Sequence, residues 1–212
     1  MEDNSFQLTF LILLSQLLYF TCINHHSVSF ASTSSFGVTY ENKTENVIKI
    51  DLRNKFLKKK HELRGVINLS FPELQHFRNL DLSMNKSGGI KVPKFIGRLK
   101  ELRYLNLSAA SFTSSVSSFL GSLSNLQVLD LGVTLALITF PQWIFKLNNL
   151  VHLHLSSNNI FSELPDEFAK LTLFEYLDLS SIYGINGTLK RSLGKLCNLK
   201  NLILSYNNIL ET

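Results

Sequence analysis

The sequence predicts an α/β solenoid: a right-handed curved coil with a parallel sheet on its concave face and short helical or 3-10 turns outside. Two observations predict it. Leucine recurs every 24 or 25 residues through most of the chain, and proline recurs in the segments between. A fixed period of that length marks stacked repeats rather than one globular core.

The chain begins with an almost wholly apolar run, Leu8 to Phe20, interrupted by Thr9, Ser15 and Gln16. It is shorter than the roughly 20 residues that cross a membrane. It suits the apolar part of a signal peptide over residues 1–31, with Ser29-Phe30-Ala31 offering small residues for cleavage after Ala31. Glu2 and Asp3 stand where basic residues are usual, so an uncleaved interfacial anchor is the alternative. No other apolar run reaches spanning length, so no transmembrane segment is expected beyond this region, and the product is expected to be secreted or at the cell surface.

Of the 212 residues, 45% are hydrophobic and 17% charged, which excludes a disordered chain. The formal net charge is +5, and removal of Glu2 and Asp3 with the leader makes it +7, 21 basic against 14 acidic residues. Such a balance steers acidic partners or anionic polysaccharide. The run Lys58-Lys59-Lys60 reads as a solvated loop, and no nucleic-acid partner is expected. Of the two cysteines, Cys22 leaves with the leader. Cys197 then has no partner for an intrachain disulfide and is expected to be a small buried hydrophobe beside Leu196.

The repeat is carried by four columns. Leu82, Leu107, Leu131, Leu155, Leu179 and Leu204 are separated by 25, 24, 24, 24 and 25 residues. Two residues earlier stand Leu80, Leu105, Leu129, Leu153, Leu177 and Leu202. Three further back are Phe77, Leu102, Leu126, Leu150, Phe174 and Leu199, and three back again Leu74, Leu99, Leu123, Leu147, Leu171 and Leu196. The pattern L-x-x-L-x-x-L-x-L places the last two leucines two apart, on one side of a strand, and the residues between them on the other. One repeat cannot cover its own leucine face, so neighbours must stack. Each buried Leu contributes about 2 kcal/mol.

Three residues past the last leucine the column reads Asn85, Ala110, Thr134, Asn158, Ile182 and Asn207. An asparagine there satisfies backbone groups of the turn. Ala110 and Ile182 cannot, so their turns are expected to be looser by about 1 kcal/mol per bond. In the return segment Pro93, Pro141 and Pro165, with Ser117 and Lys190 in the same column, precede Ile96, Ile144, Phe168, Leu120 and Leu193. Proline sets an extended backbone and opens a short helical turn.

These residues resemble the plant-specific leucine-rich-repeat class of receptor-like proteins and receptor kinases. The stretches Leu80-Asp-Leu-Ser-Met-Asn85, Ile90-Lys-Val-Pro-Lys-Phe-Ile-Gly97 and Leu102-Arg-Tyr-Leu-Asn-Leu-Ser108 are similar to early repeats of those that detect microbial elicitors. The class's L-x-G-x-[IL]-P pattern recurs in part at Leu63-Arg-Gly65-Val-Ile67-Asn68 and Gly187-Thr-Leu189-Lys190. The resemblance implies a leucine-rich-repeat fold over residues 63–212, about five complete repeats and one cut short. Residues 32–62 are then a degenerate N-terminal cap remnant, in which Tyr40 replaces a cap cysteine and Glu45 a glycine. It also implies a truncated ectodomain fragment that recognises a protein, peptide or glycan ligand in defence or signalling and pairs with a longer leucine-rich-repeat receptor or a co-receptor kinase. The alternatives are an inhibitor of secreted microbial wall-degrading enzymes and a degenerate product without activity.

Strand alternation puts Tyr104, Asn106, Asp130, His152, His154, Tyr176 and Asp178 on the solvent side of the curve, where they are the expected ligand contacts, with Tyr206 at a strand end. Asp81, Asp130 and Asp178 recur at the repeat period, which makes them a feature of the repeat before they are acid–base pairs. His152 and His154 lack a third ligand at suitable spacing, so no metal or cofactor is expected. No nucleophilic triad order, phosphate loop or H-E-x-x-H pattern is present, so the chain is expected not to be an enzyme. Ordinary solvated side chains remain the alternative reading of these residues. The N-x-[ST] sequons at Asn42, Asn68, Asn106 and Asn186 suit a secretory route. That at Asn85 lies in the inward column and is expected to be inaccessible, and a glycan on Asn106 would partly block the concave face.

Overall fold

Each predicted leucine pair builds a short strand. The computed structural model describes residues 37–40, 47–54, 76–85, 92–110, 112, 118–134, 137–187 and 191–209. Its strands are β1 (Gly37–Tyr40), β2 (Val47–Asp51), β3 (Asn79–Asp81), β4 (Tyr104–Asn106), β5 (Val128–Asp130), β6 (His152–His154), β7 (Tyr176–Asp178), β8 (Asn186–Gly187), β9 (Asn201–Ile203) and β10 (Asn208–Ile209). One sheet runs β1-β2-β3-β4-β5-β6-β7-β9, antiparallel between β1 and β2 and parallel from β2 onward. The strands β8 and β10 pair separately, in parallel. The expected leader, the Lys58–Lys60 run and the sequons at Asn42 and Asn68 lie outside the described residues.

Register follows the leucines. Leu80, Leu105, Leu129, Leu153, Leu177 and Leu202 align across the sheet, and Ile50 of β2 joins that row ahead of them. Four of the row, Leu105 to Leu177, are fully buried. The backbone ladder outlasts the three-residue strands: Leu82 N donates to Asn106 O at 2.9 Å and Met84 N to Ser108 O at 2.9 Å, and each coil repeats the pair. The next step leaves the sheet because one residue per coil is left-handed. Met84, Ala109, Val133, Ser157, Ser181 and Tyr206 have φ of 60, 51, 54, 54, 54 and 60°. That conformation costs an L-residue about 1–2 kcal/mol, and glycine occupies none of the six positions.

The outer side carries 3-10 turns at Lys94–Arg98, Ser118–Ser122, Gln142–Lys146, Asp166–Lys170 and Arg191–Lys195. Pro93, Pro141 and Pro165 open three of them at φ of −64, −71 and −69°. Ile96, Leu120, Ile144, Phe168 and Leu193 point inward from these turns and are buried. Phe168 meets Phe140 and Phe145 edge-on, with centroids 5.6 and 5.2 Å apart. A second ladder follows the turns. The side-chain amides of Asn125, Asn149 and Asn198 donate to the carbonyls of Lys100, Ser124 and Thr172 in the preceding coil at 3.0, 2.8 and 2.8 Å.

The inner asparagine column behaves as the sequence predicts. Asn158 Nδ2 donates to Leu131 O and Leu155 O, both at 2.8 Å. Asn85 and Asn207 bridge the carbonyls of Leu52 and Leu82, and of Leu179 and Leu204, in the same way. Asn85 is buried, so its side chain is inaccessible in the fold. The units with Ala110 and Ile182, which lack the asparagine, keep the common left-handed φ at Ala109 and Ser181. Both replacements are fully buried, so apolar packing fills the slot, and Asn207 Oδ1 accepts the Ile182 N–H at 2.7 Å.

Two placements correct the sequence reading. Cys197 is exposed, not a buried hydrophobe, because it occupies the turn position held by Lys100, Ser124, Asn148 and Thr172 in the other coils. Tyr206 lies in the turn beyond β9, in the left-handed position, with 90% of its surface exposed.

Candidate functional site

The solvent side of the sheet is two rows of side chains. Cross-strand pairing sets Tyr104, Val128, His152 and Tyr176 in one row and Asn106, Asp130, His154 and Asp178 in the next. The structure therefore brings together all seven expected contact residues, each half-buried between leucines that point the other way.

The second row has a structural duty that its periodicity suggested. Asp81 Oδ1 accepts from Ser83 N and Oγ, Asn106 Oδ1 from Ser108 N and Oγ, Asp130 Oδ1 from Gly132 N, and Asp178 Oδ1 from Ser180 N and Oγ, at 2.6–3.0 Å. Each residue pins the first step of its turn with one oxygen. The Asp130 carboxylate also takes a side-chain hydrogen bond from Ser108 of the preceding coil. His154 sits between Asp130 and Asp178 on adjacent strands and stacks on Tyr176, centroids 4.6 Å apart and planes at 26°. His152 meets the same ring at 5.8 Å. Burial pushes the Asp130 carboxyl up, against the Gly132 N–H and the nearby His154. Burial also raises the Tyr176 phenol.

At the N-terminal end, Lys49, Asp51, Arg53, Asn79, Asp81 and Tyr104 line a cleft of about 230 Å³. Arg53 donates to both oxygens of Asp51 and lies 3.4 Å from Asp81 Oδ2, and its hydrogen bond to Asp51 holds the guanidinium above its ordinary pKa. Tyr104 OH donates to Asp81 Oδ2 at 3.4 Å, and burial raises that phenol. The sequence reading left Lys49, Asp51 and Arg53 out because their repeat begins inside the expected cap. The signal was Ile50-x-Leu52, one apolar residue on each side of Asp51. The two rows thus hold Asp51, Asp81, Asp130 and Asp178 with Lys49, and Arg53 beyond β2 pairs with Asp51 and Asp81. Among the described residues no group of three or more His, Cys, Asp or Glu could hold a metal ion, and no helix is long and apolar enough to cross a membrane.

A profile of the leucine-rich repeat region matches residues 60–212. The chain belongs to the leucine-rich-repeat family. Receptor-like proteins EIX1 and EIX2 of Solanum lycopersicum align with this leucine-rich-repeat chain at 38% identity over 87 residues and 35% over 85. Each alignment covers 38% of this chain and 8% of the relative, so it spans a small part of those proteins. Solved structures share the fold. The plant peptide hormone receptor RGFR1, in complex with RGF2, superposes at TM-score 0.64 and 24% identity over 84% of this chain and 26% of that one. The Arabidopsis receptor kinase HAESA, in complex with the peptide hormone IDA and the co-receptor SERK1, does so at 0.65 and 23% over 81% and 32%.

Proposed function

We propose that the chain is a recognition segment of a plant receptor-like protein, secreted or at the cell surface. Its concave face holds a peptide or protein ligand in defence or signalling, and its partner inside a complex is a longer receptor or a co-receptor kinase. Binding, not catalysis, is the activity. The observation that carries this reading is the row Asp130–His154–Asp178 with Tyr176 stacked on His154, a rigid polar and aromatic surface on a leucine-backed sheet. Its carboxylates favour a ligand segment rich in Lys and Arg. N-glycans at Asn42, Asn68, Asn106 and Asn186 are part of the proposal, and one at Asn106 would narrow the groove beside Tyr104.

A random peptide library displayed on phage and selected on the immobilised full chain tests it. Selected peptides should be basic, and Tyr176→Ala with His154→Ala should weaken them at least tenfold. Lys94→Glu and Lys170→Glu, on the outer turns, should leave them unchanged. Loss through the outer variants with the concave pair silent would overturn the assignment. The aspartates are poor probes here, because each also holds a turn.

A further inference from the structure

We propose that the flank formed by Ile138, Phe161 and Tyr183 is a second binding surface, fitted to a neutral polysaccharide. The three lie beyond the strand turns, outside the concave rows, and expose 63, 67 and 75% of their surfaces. They rest on a rigid base. Leu137, Ile160 and Ile185 beneath them are buried, Phe161 N donates to Ile138 O at 3.0 Å, and Gly184 N donates to Ile160 O at 2.7 Å. Gly184 lets the coils meet: a Cβ there would stand 2.5 Å from Phe161 C and 2.7 Å from Ser162 O. That approach sets the Phe161 and Tyr183 rings 6.2 Å apart with planes at 19°, so two largely exposed rings lie nearly parallel.

The size and charge of the patch choose the occupant. An aromatic side chain offers roughly 150–250 Å², so the exposed parts of the three make about 400 Å². A stable protein partner needs about 800 Å² per side, whereas patches of roughly 300–600 Å² on monomers are often functional. The neighbouring exposed polar residues Thr139 and Asn159 are uncharged, with Glu163 the one charge close in sequence. Ring faces are electron-rich and suit the C–H faces of pyranose rings, and the exposed hydroxyl of Thr139 and amide of Asn159, next in sequence to Ile138 and Ile160, suit sugar hydroxyls. A peptide or an anionic chain would find no charge to pair with on the rings.

Calorimetric titration of the full chain with cellohexaose, xylohexaose and mannohexaose, with polygalacturonate as the charged counterpart, tests this. At least one neutral oligosaccharide should bind saturably, at least tenfold more weakly to Phe161→Ala/Tyr183→Ala and unchanged to the ring-keeping Phe161→Tyr. Thermal melting checks that the double variant is folded; if it is not, Tyr183→Ala alone should weaken binding at least threefold. His154→Ala, on the concave face, should change nothing, so this test and the peptide selection fail independently. The proposal is overturned if none of the three binds, if binding survives removal of the rings, or if polygalacturonate binds more tightly in a salt-sensitive way.

Discussion

Replacing Asn158 by Ala should be among the most damaging single changes to the fold. The side chain is fully buried. Its amide donates to Leu131 O and Leu155 O at 2.8 Å each, and its oxygen accepts from Thr134 Oγ1 at 2.8 Å. Alanine would strand two carbonyls and a hydroxyl. With a buried unsatisfied group costing about 1–3 kcal/mol, partial relaxation leaves a loss of about 3 kcal/mol. Trp143, the one tryptophan of the chain, is a buried reporter in the coil between the two bridged leucines. With a urea slope of about 2 kcal/mol/M, its fluorescence midpoint should fall by about 1.5 M. A fall below about 0.5 M would show that the amide does not hold the coils together. Asn207→Ala, at a half-buried copy of the same site, should cost less.

Three further outcomes follow from particular positions. Val133 is β-branched at φ 54°, so Val133→Gly should relieve about 1–2 kcal/mol of strain against about 0.5–1 kcal/mol of added chain entropy; melting should rise by about 2 °C or more, and a fall refutes the strain. Asp130→Asn keeps the oxygen that accepts the Gly132 N–H, as Asn106 does for Ser108. Because burial raises the Asp130 pKa above 3.8, protonation favours the fold, and that contribution is lost as pH rises through the raised value. The variant should therefore melt above the wild type at neutral pH and converge with it below about pH 4; a gap that widens toward acid refutes it. The Cys197 thiol should react with a disulfide reagent as fast in the folded chain as in urea, and protection would contradict its exposure.

The leucine columns were legible because one side-chain type at one period admits one packing, and the sheet register from Leu80 to Leu202 is the sequence spacing made spatial. The turn-holding role of the aspartates was half legible: Asp81, Asp130 and Asp178 recur, but the Ser or Gly two residues on gives the reason. Cys197 could have been placed by comparing it with Lys100, Ser124, Asn148 and Thr172, since column outweighs the residue's own hydrophobicity. The left-handed column was not legible, because Met, Ala, Val, Ser and Tyr carry no preference for positive φ. The Phe161–Tyr183 pairing depends on Gly184 bringing two coils together, which no pattern within one repeat records.

The amide stitching along the outer turns is uneven. Asn149 ties its coil to the one before and Asn198 does the same further on, but the intervening position is Leu173, 44% exposed, opposite the Asn148 carbonyl. That joint therefore has one cross-coil amide hydrogen bond fewer than its neighbours. On the inner side that joint lies between β6 and β7, which set His152 and His154 against Tyr176 and Asp178. Leu173→Asn would tie the joint, and slower amide exchange around Asn148 would be its signature, with unchanged exchange speaking against the weaker tie. A single outer-side position thus separates the better-tied coils before it from those after it.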